Sequence, residues 1–206
     1  TMGEQAGNRV EIETTHVSSF AGDVLVLKYA QGLYGADKEI FSKHLSAEQQ
    51  DRPMPAPGNS IAFVPGSSLR VQHVIFLGVV PLFLFEYAEI REFGRRTLSA
   101  VAQCVPRATH LGLTIHGPGI GLDEIEAFES VLAGLVEAVR LNEYPAELRR
   151  ITFVERNVGR ANRLSVALRH LLPNAQIATG TRGPLSALTK DVQNVFRSVG
   201  YASASK

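Results

Sequence analysis

The sequence predicts a three-layer α-β-α sandwich around a mixed, largely parallel sheet. Three observations carry this expectation. Strand-like and helix-like hydrophobic patterns alternate along most of the chain, as they do in α/β domains. Val24-Leu25-Val26-Leu27 is a continuous apolar run, the pattern of a strand covered on both faces. Two glycine-bearing loops each stand between a strand pattern and a helix pattern.

The elements follow in order. Val10 to Thr14 alternates apolar and polar residues, so it reads as a half-buried strand. Asp23 to Tyr29 is the second strand. The turn Gln31-Gly32-Leu33-Tyr34-Gly35 leads into a short helix from Ala36 to Leu45. Glu48 to Asn59 holds Pro53, Pro55, Pro57 and Gly58, which predicts a loop. It is not a domain boundary, because strand patterns resume at Ser60–Val64 and Val71–Val79. A helix from Glu86 to Val105 keeps Ile90, Leu98, Val101 and Val105 at helical spacing.

His110 to Ile115 is the next strand, His116 to Gly121 a glycine loop, and Asp123 to Arg140 a helix. Its stripe is Ile125, Phe128, Leu132, Leu135, Val136 and Val139. Asp123 with Glu126 resembles a capping box. Arg150 to Val154 is a last strand, and Asn157 to Leu172 a last helix ended by Pro173. Beyond it, Gly180, Gly183 and Pro184 predict a linker and Leu185 to Val199 an amphipathic helix.

Composition bounds the function. With 206 residues, 45% hydrophobic and 20% charged, the chain is not a disordered one. It is long enough to hide roughly 70% of its unfolded surface. A net charge of +1 disfavours a nucleic-acid partner. One cysteine, Cys104, allows no internal disulfide and points to a reducing, cytoplasmic setting. Its mid-helix, partly buried position favours a structural role over a nucleophile. The polar start through Arg9 is no signal peptide. The apolar run Val74 to Phe85 falls short of the ~20 residues of a membrane span, so no membrane partner is expected. Thr1 before Met2 and the tail Ser203-Ala204-Ser205-Lys206 read as the ends of a cloned fragment. An effector domain beyond Lys206 is therefore expected. A homo-oligomer is left open.

No standard catalytic motif is present. The chain has no Walker-type phosphate loop, no H-E-x-x-H, no G-x-S-x-G, and its histidines lack ligand spacing. No catalytic residue, metal or cofactor is expected. The strongest positive signal is His116-Gly117-Pro118-Gly119-Ile120-Gly121. A strand-to-helix loop lies at the carboxyl edge of a sheet, where α/β proteins bind ligands. Glycines let backbone approach a phosphate, and a helix start favours anions. A tight turn needing φ > 0 explains the same residues.

Gln31, Gly32, Tyr34 and Gly35 form a second such loop, so the two together predict one cleft. Arg156, Asn157 and Arg160 follow the last strand, with Asn157 as an N-cap. The arginines can meet phosphate or ribose, or simply solvent. Arg140, Arg149, Arg150, Arg156, Arg160, Arg163 and Arg169 outnumber Glu143, Glu147 and Glu155 in this stretch. Phe83, with Phe85 and Tyr87, can stack on a base or pack in the core.

Together these residues resemble the macro-domain-like superfamily, over roughly Val10 to Leu172. That group includes ADP-ribose-binding macro domains and the N-terminal domain of leucine aminopeptidases. Asp23-Val24-Leu25-Val26 with Gly32 to Ile40 is similar to the family's buried strand, glycine loop and first helix. His73-Val74-Ile75-Phe76 with Pro81 is similar to its central strand. Thr114 to Gly121 with Asp123-Glu124 is similar to its second phosphate-binding loop. The resemblance implies that both loops grip a diphosphate. It places Gln31, Gly32, Tyr34 and Gly35 in the first loop and Gly117 to Gly121 in the second.

The chain also departs from the family. Catalytically active members carry asparagine-rich sequence where this chain has Lys28-Tyr29-Ala30, and longer glycine runs where it has Gly32 and Gly35. Binding of an ADP-ribose-like or other nucleotide is thus expected ahead of hydrolysis. The expected organisation is a disordered or tag-derived segment 1–9, a macro-like domain 10–173, and a linker with amphipathic helix at 174–206. The expected role is a sensor module of a larger bacterial signalling or anti-phage defence protein. An ADP-ribosyl hydrolase using His116 and Gln31, and a non-catalytic assembly domain, are the alternatives.

Overall fold

The computed structural model describes residues 8–171 and 176–177. The expectations for 1–7 and for 178–206, including the linker and the helix at Leu185–Val199, lie outside these residues. The strands are β1 (Asn8–Thr14), β2 (Ala21–Tyr29), β3 (Ser60–Phe63), β4 (Arg70–Gly78), β5 (His110–Thr114), β6 (Arg150–Glu155) and β7 (Gln176–Ile177). The helices are α1 (Gly35–His44), α2 (Ala47–Gln50), α3 (Tyr87–Cys104), α4 (Glu124–Arg140) and α5 (Val158–Leu171).

One sheet runs in the order β3-β4-β2-β5-β6-β1-β7. Its five inner strands are mutually parallel, and β3 and β7 flank them antiparallel. The expected mixed, largely parallel α/β architecture is therefore present. β2 explains its own apolar run. Val24 and Val26 belong to a core formed with α3, α4 and α5, while Leu25 and Leu27 belong to a second core with Ile40 of α1. All four side chains are fully buried.

Three local readings change. The proline-rich loop is preceded by a helical turn, α2. Ser46 accepts from the Gln49 amide at 3.1 Å, and the Gln49 side chain accepts from the Ser46 amide at 2.9 Å. That is a capping box, a local motif that the prolines downstream obscure. Within the segment read as linker, β7 pairs with β1, Asn8 opposite Ile177. Cys104 is the last residue of α3 and is exposed, because the helix ends before Val105-Pro106.

Helices α3 and α4 cross with their backbones in close approach. A Cβ on Gly134 would lie 1.9 Å from the Arg91 carbonyl oxygen, and one on Gly94 would lie 2.4 Å from that of Val131. No helix among the described residues is long and apolar enough to cross a membrane.

Candidate functional site

Parallel pairing brings the carboxyl ends of β4, β2, β5, β6 and β1 to one edge of the sheet. The connections from β2 and β5 then diverge. The chain leaving β2 enters α1 on one face, and the chain leaving β5 enters α4 on the other. Because β2 and β5 are neighbours, the strand order switches between them. Open α/β sheets form a ligand crevice at such a point. Both glycine loops flank this switch point.

In the first loop Gln31 has φ 55° and Gly35 has φ 51°. The Gln31 side-chain amide donates to the carbonyls of Val79 at 3.0 Å and Pro55 at 3.2 Å. It braces the loop against the ends of β4 and the proline-rich segment. The Tyr34 hydroxyl folds back over Gly32, close enough that a Cβ there would sit 2.8 Å from it. Tyr34 remains half exposed.

In the second loop Gly117 (φ 106°) and Gly121 (φ 84°) hold conformations that L side chains rarely adopt. The amides of Ile120 and Leu122 both turn back to the Gly117 carbonyl, at 3.0 and 3.2 Å. Pro118 and Ile120 bound the single turn around Gly119. A Cβ on Gly119 would have open space around it. The Tyr87 hydroxyl accepts from the Asp123 amide at 2.9 Å, tying the start of α3 to the start of α4.

Five of the exposed large apolar side chains lie on this edge: Tyr34, Phe83, Leu84, Ile120 and Val158. Phe83 is 82% exposed, whereas Phe85 beside it is buried. This edge thus has an apolar rim.

Its electrostatics differ from the arginine-led picture. The Asp123 carboxylate accepts from the amides of Ile125 at 3.0 Å and Glu126 at 2.9 Å. Glu124 and Glu126 add negative charge to the first turn of α4. Arg160 is held by Glu124 at 3.3 Å and Glu155 at 3.6 Å, and Arg163 by Glu124. Asn157 caps α5, accepting from the Arg160 amide at 2.8 Å. Arg156 is exposed on the rim.

A charged pair whose contact the sequence does not signal flanks the first loop. Lys28, at the end of β2, places Nζ 2.9 Å from Oδ2 of Asp37 in the first turn of α1. Their side chains are 14% and 5% exposed. Burial raises the Asp37 pKa above the ordinary carboxylate range, against the opposing pull of Lys28. Residues 28 and 37 meet because the chain reverses between β2 and α1, a contact that no local pattern signals.

His116 is enclosed rather than presented. It is 4% exposed and lies edge-on to Phe93 and Phe85. Neither ring nitrogen has a hydrogen-bond partner among the described residues. Burial, and secondarily the charge of Lys28, push its pKa well below the usual imidazole value. Among the described residues no group of three His, Cys, Asp or Glu is placed to hold a metal. At the opposite edge an open depression of ≈ 600 Å³ is lined by Lys43, Arg52 and Val64 among others. It shares no element end with the glycine loops.

No family model matches the chain, and no curated protein matches it in sequence. Its fold does have solved counterparts. An Oceanobacillus iheyensis macrodomain with MES bound is 15% identical, with a TM-score of 0.61, covering 80% of this chain and 93% of that one. A glycine-to-valine variant of that macrodomain with ADPR is 17% identical, with a TM-score of 0.60, covering 80% and 94%. A Trypanosoma brucei macrodomain in complex with ADP-ribose is 14% identical, with a TM-score of 0.59, covering 78% and 69%.

Proposed function

Proceeding from the macrodomain fold of this chain, we propose that it is a binding module for an ADP-ribose-type nucleotide, held in the crevice between the β2 and β5 loops. The observation that carries this reading is the pair of glycine loops flanking a switch point. Gly32, Tyr34 and Gly35 approach the ligand from one side and Gly117 to Gly121 from the other. The apolar rim, with Phe83 and Tyr34, suits the face of a base. Likeness to macrodomains that carry ADPR and ADP-ribose supports the ligand class.

The module reads its ligand rather than cleaving it. Of the two side chains available for positioning water, His116 is withdrawn into the core and Gln31 spends its amide nitrogen on backbone carbonyls. A non-cleaving site suits a sensor, which passes occupancy to a further domain in a signalling or defence protein.

Calorimetry and thermal shift with ADP-ribose, its cyclic isomers and cyclic nucleotides test the reading. Heat and a raised unfolding temperature with ADP-ribose are expected; silence with every ligand overturns it. Gly119→Glu sharpens the test. Its side chain enters open space, so the unfolding temperature should stay within about 2 °C of wild type. The added bulk and charge stand where the phosphate would lie, so binding should vanish. Undiminished binding by this variant would remove the second loop from the site.

A further inference from the structure

We propose that Lys28 is the cation that reads the anionic part of the ligand in this crevice, and that Asp37 holds its affinity down. The inference deepens the nucleotide-binding reading and takes its location from it.

Of the other sources of positive potential at this edge, the start of α4 and two arginines are already spent, and Arg156 stands out on the exposed rim. The start of α4 carries the Asp123 carboxylate on two of its free amides, with Glu124 and Glu126 beside it. A phosphate placed there would meet like charge, which outweighs a helix dipole equivalent to roughly half a charge. Arg160 and Arg163 are bound to carboxylates.

Lys28 differs in position and in unused capacity. The end of β2 sets it at the switch point, between α1 of the first loop and His116 of the second. An ammonium has three N–H donors. The contacts found for Nζ are with one oxygen, Asp37 Oδ2. The other oxygen, Oδ1, accepts from the Lys28 backbone amide at 3.3 Å, so the carboxylate is pinned to the same residue twice. Taking such a pair out of water is costly and contributes little net stability. A fixed, poorly solvated ammonium is, however, an effective partner for an incoming anion.

The test is calorimetry on the full chain with two probes, ADP-ribose and inorganic pyrophosphate, at low and high salt. Asp37→Asn removes the competing negative charge and should tighten both probes. Lys28→Gln should weaken ADP-ribose by about ten- to a hundredfold and remove the salt dependence of its binding. Because Lys28→Gln strands a buried carboxylate, the Lys28→Gln/Asp37→Asn double variant, which has no unpaired charge, must show the same loss.

A purely structural pair predicts the opposite sign for Asp37→Asn, namely weaker binding. That result, or equal ADP-ribose affinity in the wild type and the double variant, overturns the role of Lys28 and leaves the nucleotide reading standing. Lys28-dependent binding of pyrophosphate without any binding of ADP-ribose would do the reverse. Binding of neither probe by the wild type would overturn both.

Discussion

Gly134→Ala is expected to destabilise the protein by about 3 kcal/mol or more, lowering its unfolding temperature by roughly 10 °C. The new Cβ would stand 1.9 Å from the Arg91 carbonyl oxygen and 2.8 Å from the Arg95 nitrogen. Both are backbone atoms within α3, so no side chain can swing aside to make room. The helices must part, and they part over Leu98, Val101, Leu132 and Leu135, which are among the most buried residues of the larger core. Alanine gains about 1 kcal/mol in intrinsic helix propensity over glycine, so the measured loss is net of that gain. Gly159→Ala in α5 is the matched control. A Cβ there meets only the tips of the Arg163 and Asn157 side chains, at 3.3 and 3.4 Å. Thermal unfolding of the two variants should therefore move in opposite directions, or Gly159→Ala should not move at all. Equal small shifts would mean that α3 and α4 do not cross this closely.

That crossing shows what kind of information the sequence carried. Hydrophobic period is a local property, and it placed β2, α3, α4 and α5 within a residue or two of their observed ends. The demand for positive φ is also local, which is why the His116–Gly121 loop stood out. Gly94 and Gly134 interrupt two otherwise apolar helical stripes, and an interior helical glycine commonly marks close packing. The signal was present but does not say which helix comes near. The charges were harder still. A count over residues 140–170 finds an arginine excess, yet Arg160 and Arg163 are neutralised by Glu124, and Arg150 by Glu11. Those partners lie on α4 and β1, outside any window centred on the arginines. The pairing of Lys28 with Asp37 is hidden for the same reason. Each has an ordinary surface explanation until the sheet edge brings them together.

His116→Leu is expected to stabilise the protein, by about 1–3 kcal/mol near neutral pH, and to flatten its acid sensitivity. Leucine has a volume close to that of histidine and fills the space against Phe85 and Phe93 without leaving ring nitrogens enclosed and without protein partners. The pH dependence follows from the direction of the shift. In the folded protein the imidazole is kept neutral to well below its ordinary value of about 6.5, first by burial and then by Lys28. In the unfolded chain it protonates near that value. As pH falls through 6.5 the unfolded state takes up a proton that the folded state refuses, so folding stability declines. For one such group the loss between pH 7 and pH 5 is about 2 kcal/mol. Asp37 acts with the opposite sign, because its raised pKa lets the folded state accept a proton first as pH falls. It is present in both proteins and cancels in their difference. Urea denaturation of wild type and variant at the two pH values therefore isolates the histidine. The advantage of His116→Leu should widen on acidification by about the same 2 kcal/mol. Parallel pH profiles would show that the ring charges in the folded protein, which requires it to leave the pocket formed by Phe85 and Phe93 and turn toward solvent.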